Sequence, residues 1–288
     1  MPSFNNALLS AMLFIIPSHM GLKVLIRGGG EMASGIAHRL HQCHMDVLIT
    51  EIEHPTAVRR AVAFAEAIYQ GYQTVEGVKA VSVSNAEEAR AQWAGRNIPL
   101  LVDSDAWIRE KIMPAVVVDA IMAKTNTGTT ISDAPLVIGV GPGFVAGVNV
   151  HAVVESNRGY HLGRVIWNGE AETDTGIPSS VTGFTNARVF RVPCAGRFTA
   201  LRNIGDSVNA GDTIAEVKEV PIKAGIHGLV RGMLKDGIEV PQGIKAGDID
   251  PRGEREYCYA ISDKARAIAG GVLEAILHAF ENLKVPAG

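Results

Sequence analysis

The sequence predicts an α/β protein in which a mostly parallel sheet is followed by a smaller β-rich module and a C-terminal helix. Three observations predict this fold class. A buried strand runs into a glycine-rich turn and a helix near residue 30, strands and helices alternate as far as residue 146, and short strands with Gly-Asp turns fill residues 188–250. The predicted units are an N-terminal extension (1–20), the sheet domain (21–146), a β-rich connecting segment (147–187), the module (188–258) and the C-terminal helix (259–288).

Length and composition allow a large core and exclude several classes of partner. The chain has 288 residues, of which 47% are hydrophobic, so about two domains can form. The formal net charge is −3 and there is no block of Lys or Arg, so we expect neither nucleic acid nor a membrane as partner. Cys43, Cys194 and Cys258 lie far apart and lack metal-binding spacing, which favours a reducing, cytoplasmic location without disulfides or a zinc ribbon.

Residues 1–20 precede the first predicted strand. The apolar run at 7–16 is too short to span a bilayer, and no Lys or Arg precedes it as in a signal peptide. We expect Met20 to lie close to the natural start of the protein. The alternative is that the run forms a helix that packs on a partner subunit.

The glycine-rich turn has the layout of a nucleotide-binding βαβ unit. The apolar run 22–26 predicts a buried parallel strand, helical spacing follows the glycines, and a second strand at 47–49 leads to an acid. Glycines permit the tight turn and the approach of a pyrophosphate, and the helix N-terminus attracts the phosphate. We therefore predict a Rossmann-like domain in which the acid binds a ribose; the alternative is a tight turn that binds nothing. The predicted cofactor-binding residues here are Gly28, Gly29, Gly30, Glu31, Met32, Ala33 and Glu51.

The remaining elements of the sheet domain alternate between helix and strand. Helices are predicted at 54–67, 85–93 and 107–112, short strands at 68–83, and buried strands at 98–102, 115–121 and 135–140. Ligands of open parallel sheets bind at the carboxyl ends of the strands, so residues directly after the strands are binding candidates. These candidates are Asp103, Lys124, Asn126, Gly141 and Gly143. Lys124 and Asn126 could hold an anion or form a polar surface turn, while Pro142 removes one N–H donor from the second glycine-rich turn.

Two titratable residues of the connecting segment are candidates for proton transfer. His151 and Glu155 are four apart on a predicted strand, so their side chains share one face, and Arg158 follows. They could line a polar site or form the wet face of a half-exposed sheet. We predict a cleft between the sheet and residues 139–164, in which Lys124 and Arg158 neutralise an anionic ligand. No metal site is predicted.

The module carries an internal repeat of Gly-Asp turns. The repeated turns are Gly205-Asp206, Gly211-Asp212, Asp236-Gly237 and Gly247-Asp248. Two similar halves of short strands predict a barrel-sandwich-hybrid-like fold, and residues 222–235 are similar to the second half of a biotinyl domain. The Met-Lys-Met-like triplet of carrier domains is absent, so we expect no biotin or lipoate. The final helix, 262–283, has a wide apolar stripe that must be buried against the sheet domain or a second subunit.

Several longer segments together resemble one family. They are 26–33 (IRGGGEMA), 119–129 (DAIMAKTNTGT), 134–150, 151–164, 175–178 and 244–252 (IKAGDIDPR). Through them the chain resembles the YqeB-type accessory proteins of selenium-dependent molybdenum hydroxylase systems, which are relatives of the XdhC maturation proteins. The resemblance implies a Rossmann-like N-terminal domain and a role in maturing or delivering the molybdenum cofactor. Because the chain lacks the [2Fe–2S] cysteine spacing of the catalytic hydroxylases, it is not identified as the hydroxylase itself.

The predicted function is that of a maturation protein that binds a dinucleotide-type cofactor, such as a molybdopterin dinucleotide, and assists a molybdenum hydroxylase-type enzyme. One alternative is an NAD(P)-dependent oxidoreductase acting on a small molecule, since NAD would use the same glycine loop. Another is a non-catalytic assembly scaffold, in which the module and the final helix make protein contacts, for instance within a homo-oligomer. The sequence leaves open whether the chain turns over a substrate.

Overall fold

The structure of the chain, a computed structural model, describes residues 21–178 and 180–280. The predicted N-terminal extension and the last residues of the predicted final helix therefore lie outside the described residues. Within the described part, no helix is long and apolar enough to cross a membrane.

A nine-stranded mixed sheet forms the larger part of the molecule. The strands up to residue 170 are β1 (Lys23–Arg27), β2 (Asp46–Glu51), β3 (Tyr72–Val75), β4 (Val78–Val83), β5 (Ile98–Val102), β6 (Val116–Asp119), β7 (Leu136–Val140), β8 (Val145–Ala146), β9 (Ala152–Val154), β10 (Val165–Ile166) and β11 (Gly169–Glu170). The order across the large sheet is β10-β9-β7-β6-β1-β2-β5-β4-β3, and β8 pairs separately with β11. β3 and β10, at the two edges, run antiparallel to their neighbours, and the other pairs of the large sheet are parallel.

Few helices accompany this sheet. They are α1 (Glu31–Gln42), α2 (Ala67–Gln70), α3 (Ala86–Ala94), α4 (Arg109–Ile112) and α5 (Asp263–Ala279). Ser262 caps α5, because its Oγ accepts the Ala265 N–H at 3.3 Å. The helix predicted at 54–67 is instead a pair of 3₁₀ turns, Arg60–Val62 and Phe64–Glu66, that lead into α2.

The first and last helices pack against each other on one face of the sheet. Val24 and Ile26 of β1 share a buried cluster with α1 and α5, whereas Leu25 points into a second cluster on the opposite face. The helices approach closely at Gly35, where an added Cβ would lie 2.8 Å from the Cβ of Ala265. Burial of the α5 stripe against the sheet domain is thus achieved within one chain.

The prediction of a Rossmann-like domain was wrong. The large sheet is mixed, and the connections from β6 to β7 and from β7 to β9 hold no helix, although residues 120–135 and 141–151 are all described. A doubly wound fold requires helical crossovers that cover both faces of the sheet. Here α5, near the C-terminal end of the described chain, covers one face of the sheet. Local sequence periodicity does not reveal such a long-range contact.

The module consists of two antiparallel four-stranded sheets. Its strands are β12 (Val189–Arg191), β13 (Gly196–Ala200), β14 (Ser207–Val208), β15 (Thr213–Val217), β16 (Val220–Lys223), β17 (Gly228–Met233), β18 (Glu239–Val240) and β19 (Lys245–Asp250). The sheet orders are β12-β19-β17-β14 and β16-β15-β13-β18. A separate buried cluster that includes Phe198, Ile214 and Val230 fills the module. The predicted limits of this and the other units stay predictions.

Candidate functional site

The glycine loop lies between β1 and α1, at the carboxyl edge of the sheet. The Gly29 N–H donates to Glu51 Oε2 at 2.7 Å, and the Ile52 N–H donates to Glu51 Oε1 at 2.8 Å. Burial raises the pKa of Glu51, although these two N–H donors act in the opposite direction. The Gly29 carbonyl accepts the Ala65 N–H at 2.9 Å, so the loop is held from both sides. A phosphate could reach the Gly29 N–H only by displacing the Glu51 carboxylate.

A pocket of about 220 Å³ adjoins this loop, and Arg27 is the buried cation in its wall. Arg27 Nη1 donates to the Thr129 hydroxyl and lies 3.4 Å from Asp119 Oδ2, while Nη2 donates to the Ser104 carbonyl at 3.0 Å. Its Nε is buried without a hydrogen-bond partner among the described residues. The sequence prediction missed Arg27, although a charged residue that ends an apolar strand was a usable signal.

Four predicted ligand residues at the sheet edge make internal contacts instead. Asp103 Oδ2 accepts the Ile108 N–H at 2.8 Å, ahead of α4, and the Asn126 side chain accepts the Gly128 and Thr129 N–H groups. Gly141 and Gly143 have positive φ and pack tightly, with an added Cβ at Gly143 only 2.7 Å from the Thr125 Cα. The structure therefore uses these four residues to shape loops.

The side chains of the two proton-transfer candidates, His151 and Glu155, also accept hydrogen bonds from backbone N–H groups. His151 Nδ1 accepts the Val137 N–H at 2.9 Å. The Glu155 side chain is only 1% exposed and accepts the N–H groups of Asn157 at 2.6 Å and Glu172 at 2.7 Å. Each side chain fixes a different stretch of backbone, so the pair is not a preassembled acid–base site.

A larger cleft of about 450 Å³ lies between the carboxyl edge of the sheet and the module. It brings together four predicted residues, Glu31, Met32, Lys124 and Arg158. It also contains charged residues that sequence reasoning missed, namely Glu172, Asp174, Arg188, Arg191, Arg231, Lys245, Asp248 and Lys264. We call this space the interdomain cleft.

One buried carboxylate organises the module side of the interdomain cleft. Asp248 is fully buried, and it accepts from Arg231 Nε and Nη2, both at 2.9 Å, and from Lys245 Nζ at 2.6 Å. Arg188 Nη1 lies 3.4 Å from the same carboxylate. We call these four residues the Asp248 cluster. Burial alone would raise the pKa of Asp248, but Lys245 and Arg231 hold it well below its usual range.

The pairing of β17 with β19 brings the residues of the Asp248 cluster together. β19 carries Lys245 and Asp248 and pairs with β17, where the register shifts between Val230 and Gly232. Arg231 is therefore the extra residue of a β-bulge, a feature that re-aims a side chain. Because bulges depend on long-range pairing, the sequence pattern alone could not locate this one.

The sheet side of the interdomain cleft holds two ion pairs. Lys124 Nζ lies 2.6 Å from Asp174 Oδ2, and Arg158 makes two bonds, at 2.6 and 2.8 Å, to Asp263 at the start of α5. The bonds from Arg158 lower the pKa of Asp263 to about 2. Lys264, next to Asp263, has no hydrogen bond or ion pair to its Nζ among the residues that the structure describes.

Comparison with known proteins gives one sequence relative and no matching family model. The protein YqeB of Escherichia coli K-12, which is named as uncharacterized, is 47% identical over 267 residues, or 92% of this chain. The chain is thus similar to YqeB over most of its own length. It spans about half of the YqeB length, 49%. The YqeB-type resemblance is thereby confirmed, whereas the link to molybdenum hydroxylases is not.

Solved structures give weaker matches. They include a succinylglutamate desuccinylase/aspartoacylase from Rhodobacter sphaeroides (14% identical, TM-score 0.25), an aspartoacylase family protein from Mesorhizobium loti (13%, 0.25) and the ectoine utilization protein EutE (DoeB) from Ruegeria pomeroyi (13%, 0.23). Each match covers 80% of this chain and 85% of the other. At these TM-scores the likeness does not extend to an activity.

The function predicted from the sequence was wrong. The geometry differs from the predicted one, because the Glu51 carboxylate, predicted to bind a ribose, accepts the Gly29 N–H inside the loop predicted to hold a pyrophosphate. The predicted role in a molybdenum- and selenium-dependent enzyme system and the Rossmann-like domain are withdrawn with this function.

Other predictions stay open. Binding of a molybdenum cofactor or NAD, the lack of biotin and lipoate, and an enzyme partner stay predictions. Lys218 and Glu219 form the tight turn between β15 and β16, with φ of 48° and 63°. In the described part of the chain, no group of three or more His, Cys, Asp or Glu side chains is placed to hold a metal ion.

Proposed function

We propose that the chain binds a small molecule with phosphate or carboxylate groups in the interdomain cleft, and that the Asp248 cluster recognises its charge. The observation that carries this proposal is the sharing of one buried carboxylate by several cations. Arg231 and Lys245 alone bring one more positive charge than Asp248 can balance.

The arrangement suits anion recognition for two physical reasons. The Asp248 carboxylate fixes the guanidinium of Arg231 through two bonds, so little side-chain entropy is lost when a ligand binds. Lys245 is 37% exposed and can contact a ligand while it remains beside Asp248. A cleft of about 450 Å³ matches the size range of small-molecule sites.

Titration calorimetry with inorganic pyrophosphate tests the proposal. Lys245→Gln removes one cation but leaves the buried Arg231–Asp248 pair, and we expect it to weaken binding by roughly tenfold, or about 1.4 kcal/mol. Lys223→Gln is the matched control, because Lys223 is exposed on β16 away from the interdomain cleft. The affinity of the unaltered chain should also fall as salt is added.

Two results would contradict the proposal. Pyrophosphate that does not bind the unaltered chain would remove the anion site. Equal losses of affinity in Lys245→Gln and Lys223→Gln would show that the Asp248 cluster is not the site.

A further inference from the structure

Lys264 differs from its cationic neighbours in the interdomain cleft. Lys124, Arg158, Arg188, Arg231 and Lys245 each contact a carboxylate, and Arg191 donates to the Gly243 carbonyl. Across the described residues, no such contact or hydrogen bond reaches Lys264 Nζ, although the side chain lines the same cleft. An ammonium group is strongly hydrated, so its charged form is poorly stabilised in a partly buried place that offers no partner.

The surroundings of Lys264 make its ammonium group easier to deprotonate than that of an exposed lysine. Burial lowers the pKa of Lys264, and the nearby charge of Arg158 lowers it further. Glu31, Glu155 and Asp174 act in the opposite direction, but each has a smaller effect than burial, and the pKa is lowered overall. Lys264 is also the second residue of α5, where the positive end of the helix dipole disfavours another positive charge. A lysine that is desolvated beside another cation is the usual form of an amine nucleophile in proteins.

We propose that Lys264 forms an imine with the carbonyl group of an anionic ligand, the simplest class being the 2-oxo acids. This inference rests on the proposed function, since the cleft cations would hold the carboxylate or phosphate of that ligand. The Lys264 nitrogen lone pair forms a bond to the carbonyl carbon, and the carbonyl oxygen takes up a proton. Loss of water, with the second amine proton, then leaves a carbon–nitrogen double bond. One amine and one carbonyl thus give one imine and one water, without an oxidant or a reductant.

Reductive trapping tests this inference. The full chain is incubated at neutral pH with pyruvate and cyanoborohydride, which reduces an imine to a stable secondary amine, and the modified peptide is identified by mass spectrometry. We expect one major adduct on Lys264, formed at least tenfold faster than the adduct on the exposed Lys223. Lys264→Arg should lose this adduct, whereas Lys223→Gln should keep it.

Formaldehyde with cyanoborohydride gives a second measurement that requires no anion site. Lys264 should be methylated faster than Lys223 at neutral pH, and this advantage should shrink at alkaline pH, where exposed lysines also become neutral. Equal methylation rates at neutral pH, or pyruvate adducts spread evenly over the lysines, would overturn the inference.

The inference and the proposed function can fail separately. If pyrophosphate binds but Lys264 forms no preferred adduct, the anion site stands and the imine proposal is wrong. If Lys264 forms the adduct but pyrophosphate neither binds nor slows trapping, the amine is reactive and the proposed anion site is wrong.

Discussion

At the scale of single residues, Asp248 shows what a sequence repeat can and cannot predict. Asp206 and Asp212 accept the N–H groups of Asn203 and Asn209, each three residues earlier, so these Gly-Asp turns are equivalent. Asp248 has the same Gly-Asp sequence, but it lies in a strand and is fully buried. The repeat therefore indicated the spacing of the strands, whereas the charged role of Asp248 depends on partners up to 60 residues away.

Replacing Asp248 by Asn should destabilise the chain strongly. The change would leave the buried cations without their counter-charge, which usually costs about 3–5 kcal/mol. Urea unfolding at neutral pH measures this loss, and Asp105→Asn, at an exposed position of the loop before α4, is a control expected to stay within about 0.5 kcal/mol. If Asp248→Asn lowered the free energy of unfolding by less than about 1 kcal/mol, the Asp248 cluster would be exposed to solvent.

The Asp248 carboxylate should also make the stability of the folded chain depend on pH. Its pKa is depressed in the folded chain, so its contribution is complete above the usual range of an aspartate and is lost as the pH falls through the folded value. We expect the unfolding free energy of Asp248→Asn to change less than that of the unaltered chain as the pH is lowered from the usual aspartate range into strong acid. Parallel pH profiles would contradict this assignment.

At the scale of elements, the buried strands and the amphipathic helices were predictable, and their connections were not. The apolar runs of β1, β5, β6 and β7 all form buried strands, because a sheet covered on both faces requires apolar residues at nearly every position. The packing of α5 on α1 was not predictable, since a periodic apolar stripe shows that a helix is buried but does not name its partner.

Gly35 should be required where these two helices meet. Alanine favours a helix over glycine by up to about 1 kcal/mol, but at this position its Cβ would lie 2.8 Å from that of Ala265. We therefore expect Gly35→Ala to destabilise the chain by roughly 1–3 kcal/mol in chemical unfolding. Gly270→Ala, on α5 with no atom within 4 Å of the new Cβ, should be neutral or stabilising. Stabilisation by both changes would exclude a tight contact at Gly35.

At the scale of the whole molecule, a short segment between β2 and β3 joins the sheet to the module. The Val58 carbonyl accepts the Met233 N–H at 2.7 Å, and Arg60 Nε donates to the Met233 carbonyl at 2.8 Å. Arg59 is buried and binds Glu31 on α1 together with the carbonyls of Tyr257 and Ala260. These bonds join parts of the chain that are far apart in sequence, and so the interdomain cleft itself could not be predicted from local patterns.

The sheet and the module should accordingly unfold together. We expect Arg60→Ala to lower hydrogen-exchange protection of both β1 and β17, by roughly 1–3 kcal/mol, because a charged hydrogen-bond donor at their junction is lost. Arg90→Ala, which removes an exposed bond from α3, is the control. Loss of protection in β17 alone would show that the module is an independent folding unit.

The packing of α5 over α1 also has a consequence for biosynthesis. On the ribosome, β1 and α1 emerge long before α5, which covers them and is translated more than 200 residues later, counted from Gln42 to Asp263. Until then the apolar face formed by residues such as Ile36 and Leu40 lacks its final cover, a state that attracts chaperones and favours aggregation. Nascent chains that are released early, before residue 263, would therefore expose this face and also lack Lys264, so that a premature stop yields neither a stable sheet nor a complete cleft.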